Sequence, residues 1–132
     1  IYLINCRHNF MDKTFSLTSV SVCVGLGNPG AKYTWTRHNS GFLFLDYLKE
    51  HYGSERWRSG PQCEWTTISV AIGQEMHSLL LVKPQTFMNN SGLIKPFLEK
   101  QGVKTASEIV VVHDELEKKF GTAHLRCGGS AR

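Results

Sequence analysis

Apolar and polar residues along the chain group into short blocks whose spacing alternates between strand and helix periods. Ser19 to Leu26 alternates small polar with apolar residues and holds Val22-Cys23-Val24, the pattern of an interior strand. It runs into Gly25-Leu26-Gly27-Asn28-Pro29-Gly30, a tight loop. Phe42, Leu45, Leu48 and Tyr52 then recur at helical spacing, with Asn39 or Ser40 placed to cap the helix and Gly53 to stop it. Glu55 to Gln62 is polar and contains Gly60-Pro61, a connecting stretch. Glu64 to Ile72 and His77 to Val82 read as two strands joined at Gly73-Gln74-Glu75, hence a hairpin. A short helix is predicted to lead to Gln101-Gly102, kinked at Pro96. Glu108 to Val112 is a buried strand by its β-branched run, and Gly121 to Cys127 a last one.

Strands alternating with helices predict an α/β fold, a single domain with a twisted mixed β-sheet flanked by helices, the hairpin making the sheet mixed. A chain of 132 residues fits one domain. Residues 20–132 are expected to form it, and residues 1–19 to be an N-terminal extension, either non-native or disordered, because the chain opens at Ile1 and reaches its first Met at Met11. Hydrophobic residues make up 41% and charged residues 20%, which permits a packed core and excludes collagen-like or disordered tails. Fifteen Lys plus Arg against eleven Asp plus Glu leave +4, a mild excess that suits an acidic partner such as RNA and equally an ordinary basic surface. Cys6, Cys23, Cys63 and Cys127 form no C-x-x-C pair, and no segment has the length of a membrane span. Both point to a reducing, cytoplasmic setting, with no membrane partner. No metal site is expected, since neither H-E-x-x-H nor another ligand spacing occurs.

Ligands of open α/β sheets bind beyond the carboxyl ends of the strands. Three polar clusters lie there: Gly25 to Asn39, Phe87 to Gly92, and His113-Asp114-Glu115. Gly25, Gly27 and Gly30 satisfy the dinucleotide fingerprint, but Pro29 and Tyr33-Thr34-Trp35-Thr36 delay the helix to about Ser40, and Asp46, the one acid at suitable distance, falls inside it. A dinucleotide enzyme is therefore disfavoured, and no organic cofactor is expected. His38 stands just before a helix N-terminus, whose positive dipole end favours the neutral imidazole that a general base must be. Asp114, at the end of a buried strand, is the natural carboxylate to orient it. No G-x-S-x-G accompanies the pair and the cysteines sit in apolar runs, so activation of water fits better than a covalent nucleophile. The plain alternatives are a capping or surface histidine and a turn aspartate.

The motifs taken together carry a resemblance. Gly25-Leu26-Gly27-Asn28-Pro29-Gly30, Tyr33, Thr36-Arg37-His38-Asn39-Ser40-Gly41, Lys83-Pro84-Gln85-Thr86-Phe87-Met88-Asn89-Asn90-Ser91-Gly92, His113-Asp114-Glu115-Leu116 and Gly128-Gly129-Ser130-Ala131-Arg132 occur in this order. The sequence from Val22 to Arg132 resembles the bacterial-type peptidyl-tRNA hydrolases. The resemblance implies an enzyme that cleaves the ester between a peptide and the 3′-terminal ribose of tRNA, with peptidyl-tRNA, through its acceptor stem and CCA end, as partner. It implies His38 as general base, Asp114 as its orienting carboxylate and Asn28 as reader of the substrate's peptide part. Asn89 would bind near the reacting ester, and its amide could stabilise an oxyanion. Tyr33, Phe87 and Met88 would line the site against the CCA end, and Arg126, with His124 two residues earlier, would meet tRNA phosphate. In the family the chain continues past the Gly-Gly-Ser-Ala-Arg run, so a truncated form or fragment is implied, incomplete at the C-terminus, and a monomer when complete. Pro96 and Glu117-Lys118-Lys119 depart from the family pattern. A non-catalytic RNA-binding relative is the alternative to an enzyme.

Overall fold

The structure is a computed structural model and describes residues 2–6, 20–30, 39–53, 55–86, 93–105, 108–114 and 123–127, the first and last of these segments as backbone only. In chain order the elements are β1 (Tyr2–Cys6), β2 (Val22–Gly25), α1 (Ser40–Tyr52), β3 (Arg58–Gly60), β4 (Cys63–Ile72), β5 (Glu75–Pro84), α2 (Lys95–Lys100), β6 (Ile109–His113) and β7 (Ala123–Cys127). The strands form one sheet in the order β3-β4-β5-β2-β6-β1-β7. β5, β2 and β6 run parallel, with Cys23 beside Leu81 on one side and Val110 on the other. β4 is antiparallel to β5, and β1 to β6, so the sheet is mixed as expected.

All four residues of β2 are buried, the signature of a central parallel strand covered on both faces. Its side chains divide by alternation. Val22 and Val24 join Leu80, Val82, Ile94, Phe97 and Leu98 in a core under α2. Cys23 joins Leu45, Ile68, Leu81 and Val112 under α1. β5 changes character along its length: Glu75, Met76 and Ser78 are exposed, while Leu80 to Pro84 are buried where the strand gains β2 as its second neighbour. The hairpin turns through Gly73-Gln74, and Gly73 takes φ 63°, the left-handed conformation that primed two-residue turns require.

The helix α1 has the predicted span, with Phe42 and Leu45 buried. Gly53 ends it at φ −114°, in extended rather than left-handed backbone. A side chain there would meet Ile68 Cγ2 at 2.9 Å, so the glycine is needed for clearance. Pro96 does not kink a helix, as the sequence suggested; α2 begins at Lys95, and proline in a first turn lacks only an N–H that has no intrahelical partner.

Two strands escaped the sequence pattern. β3 falls in the stretch read as a connection: it has three residues, two of them exposed, and shows no alternation. Pro61 and Gln62 at φ 56° turn it into β4. β1 lies within residues 1–19, the segment expected to stand outside the domain. Its backbone instead pairs antiparallel with β6, Leu3 opposite His113, and parallel with β7, Cys6 opposite Cys127. Tyr-Leu-Ile-Asn-Cys has strand propensity, and the open side of β6 offers it unpaired backbone groups.

Candidate active site

Because β5, β2 and β6 are parallel neighbours, their carboxyl ends share one edge of the sheet. Gly25 pairs with Val112, and the Leu26 N–H donates to the Val112 carbonyl at 2.9 Å, the last bond between these strands. Beyond it β2 passes into Gly27-Asn28-Pro29-Gly30, β6 into Asp114, and β5 into Gln85-Thr86. The first and third sequence clusters thus start side by side, and the segment leading to the second starts on the same edge. Asp114 is buried. The His113 ring, with Nδ1 2.8 Å from the Asp114 carbonyl oxygen, is placed to donate to it and fix the turn.

The first turn of α1 lies directly on this edge. A methyl group at Gly41 would stand 2.5 Å from both Leu26 N and Val112 O, and one at Gly25 would stand 2.5 Å from Gly41 O. At Gly27 it would reach Phe42 Cγ at 2.8 Å. Two of the three fingerprint glycines therefore serve the approach of helix to strand, and Gly30, at φ 110°, serves the turn. Asp46 is held by Lys83. This ion pair engages the acid that the fingerprint spacing would have assigned to a ribose. No acidic residue stands in the first turn of α1, so the positive end of its dipole is uncompensated within the helix.

Asn39 occupies the N-cap position expected of it but makes no capping bond. Its side chain turns to the loop instead. The Asn28 N–H donates to Asn39 Oδ1 at 2.7 Å, and Asn39 Nδ2 donates to the Asn28 carbonyl at 3.0 Å. Sequence reasoning saw a helix cap where the fold uses an amide clamp; the Asn type was the signal, and its partner was not visible.

Asn28, Gly30, Asn39, Asp46, Glu64 and Lys83 border a cleft of about 230 Å³ beside this loop. Lys83 is 7% exposed, and its ammonium pairs with Asp46 and lies 4.2 Å from the Trp57 ring centroid. Sequence reasoning missed this group, although a lysine directly after the apolar run Leu79 to Val82 signals a buried charge in need of partners. Burial pushes the Cys23 thiol up to about 12. It also raises Cys63, helped by the Glu64 carboxylate. Both shifts favour the neutral thiol over the thiolate. Among the described residues no group of three or more His, Cys, Asp or Glu could hold a metal ion. No helix among them is long and apolar enough to cross a membrane.

Of the residues expected in the site, Asn28 and Asp114 are brought to the ends of adjacent strands. His38, Tyr33, Phe87, Met88 and Asn89 lie outside the described residues, His38 being the residue before Asn39. Arg126 sits on the edge strand β7, beside Asn5 of β1, which in turn faces Val111 of β6.

The family model described as peptidyl-tRNA hydrolase matches residues 22–132. The chain belongs to the peptidyl-tRNA hydrolase family. It is 43% identical to the peptidyl-tRNA hydrolase of Thermotoga petrophila over 109 residues, covering 83% of this chain and 54% of that protein. With the Trichlorobacter lovleyi peptidyl-tRNA hydrolase it shares 44% identity over 112 residues, 82% of this chain and 54% of the relative. The crystal structure of peptidyl-tRNA hydrolase from Acinetobacter baumannii superposes with a TM-score of 0.64 at 34% identity, covering 78% of this chain and 51% of that one. The chain thus spans about half the length of the curated relatives it matches. Both the resemblance and the α/β fold class read from the sequence are borne out.

Proposed function

We propose that this protein hydrolyses the ester bond of peptidyl-tRNA, releasing peptide and free tRNA for reuse in translation, in the cytoplasm. The observation that carries the reading is the placement of Asn28 and Asp114 just beyond Gly25 and Val112, neighbours in register. Membership of the family supports it. The match over residues 22–132 supports that stretch as the family domain, to whose sheet β1 adds a strand between β6 and β7.

His38 is the general base: it takes a proton from water as the oxygen attacks the ester carbonyl, and Asp114 accepts the other ring N–H and stabilises the imidazolium. The Asn89 amide stabilises the tetrahedral oxyanion. Collapse breaks the acyl–oxygen bond, and the imidazolium returns its proton to the departing ribose oxygen. Asn28 reads the peptide part, because a carboxamide can donate to and accept from a peptide group but offers less to a free ammonium. Tyr33, Phe87 and Met88 receive the CCA end by stacking and apolar contact, while Arg126 meets phosphate of the acceptor stem. The chemistry uses neither metal nor organic cofactor, and the complete protein acts as a monomer.

The test is release of N-acetyl amino acid from N-acetyl-aminoacyl-tRNA, with unblocked aminoacyl-tRNA as control. Turnover of the blocked substrate alone is expected, and His38→Ala abolishes it while leaving tRNA binding. Equal turnover of both substrates, no turnover by the folded protein, or near-normal turnover by His38→Ala refutes the reading.

A further inference from the structure

Beyond Leu26 the strand ladder has ended, yet the backbone of Asn28 is paired as if it had not. Its N–H and carbonyl both bond to one side chain, the Asn39 carboxamide, at 2.7 Å and 3.0 Å. A carboxamide carries the same donor and acceptor as a peptide group, so Asn39 stands in for a neighbouring strand at a position beyond the end of β6 at His113. The clamp is built in. Asn39 is 3% exposed, and a methyl group at Gly27 would come to 3.0 Å from its Oδ1, so the loop leaves it room only as glycine. Eleven residues separate the two asparagines, and Asn39 directly follows His38 in the sequence. One buried side chain therefore ties the backbone of the peptide-reading residue to the residue next to the general base.

We propose that Asn39 is a positioning residue that sets selectivity for N-acylated substrates, by holding the Asn28 backbone so that the Asn28 side chain meets the acylated nitrogen in a fixed register with the reacting ester. This rests on the reading of Asn28 given above. Asparagine is needed because aspartate keeps the acceptor for the Asn28 N–H but turns a second acceptor toward the Asn28 carbonyl, and alanine removes both partners. Either change takes away at least one of these two bonds from the half-buried backbone of Asn28, an effect on the order of tenfold in a local equilibrium.

The experiment uses ¹⁵N-labelled wild-type protein, Asn39→Asp and Asn39→Ala, with two non-hydrolysable probes: 3′-amino-3′-deoxyadenosine carrying N-acetyl-phenylalanine or free phenylalanine in amide linkage. Amide exchange at Asn28 is expected to quicken about tenfold in both variants, with the strand amides of Leu81 and Val112 unchanged. Preference for the acetylated probe is expected to fall by about the same factor, while affinity for adenosine alone stays constant. An unchanged preference overturns the proposal. So does a parallel loss of adenosine binding and of protection at Leu81 and Val112, which would mark a merely structural role. A wild-type protein that prefers neither probe refutes the reading of Asn28 instead; the loss of Asn28 protection in the variants still reports the clamp, so the two failures are told apart.

Discussion

A single methyl group at Gly41 tests how tightly α1 is seated on the edge that carries the candidate site. The alanine Cβ would stand 2.5 Å from Leu26 N and Val112 O, whereas ordinary contact begins at 3.4 Å. Both atoms belong to backbone, and they are bonded to each other at the end of the β2–β6 ladder, so neither can swing aside. The helix must withdraw by about 1 Å, an overpacking cost of roughly 3 kcal/mol. Alanine regains up to about 1 kcal/mol over glycine through helix propensity, which leaves Gly41→Ala destabilised by about 2 kcal/mol. For a domain of this size that lowers Tm by roughly 8 °C. The withdrawal also lengthens the Asn39–Asn28 bonds, so Asn28 amide exchange should quicken in folded protein. Gly73→Ala is the control: φ 63° strains alanine there by about 1 kcal/mol, but nothing lies within 4 Å, so the Asn28 amide should not respond. Urea and thermal unfolding with amide exchange measure both effects. A Gly41→Ala protein as stable as wild type, with Asn28 unaffected, would refute the seating argument.

Two further outcomes are expected. Glu108 accepts from the Lys104 and Thr105 N–H groups at 2.8 Å each, and these bonds hold its carboxyl below the usual range. A depressed pKa stabilises the fold above the unfolded value of about 4.3 and loses that contribution as pH falls through the folded value. Glu108→Gln should therefore be less stable than wild type at pH 7, the difference shrinking below about pH 4, and a difference independent of pH in urea titrations would dismiss the carboxylate's role. Asp114→Asn should lower kcat by about 100-fold or more with KM little changed; an unaltered rate and pH–rate profile would separate Asp114 from His38.

What could be read from the sequence were elements that announce themselves locally. The period of Phe42, Leu45 and Leu48, closed by Gly53, fixes α1, and Gly73-Gln74 between alternating runs fixes the hairpin. The three exposed or half-buried residues of β3 carry no such pattern, because an edge strand is defined by its partner rather than by its own faces. The same holds for β1, whose place between β6 and β7 depends on distant segments. In the site, the strand-end rule was enough to place Asn28 and Asp114 beyond the carboxyl ends of β2 and β6. The Asn39 clamp and the Lys83–Asp46 pair were not legible, since one spans 11 residues and the other 37, and both rest on where side chains turn after the backbone is set.

The change of character along β5 divides the molecule mechanically. Its outer half and the facing half of β4 extend beyond the reach of β2 and end at Gly73-Gln74, whereas Leu80 to Pro84 is gripped from both sides and leads to the cleft. Opening of the hairpin tip therefore stops near Leu80 without reaching Lys83. A fluorophore or affinity tag inserted between Gly73 and Gln74 would hang from a handle insulated from the site, which makes this tip the place to immobilise the protein while leaving Asn28 and Asp114 undisturbed.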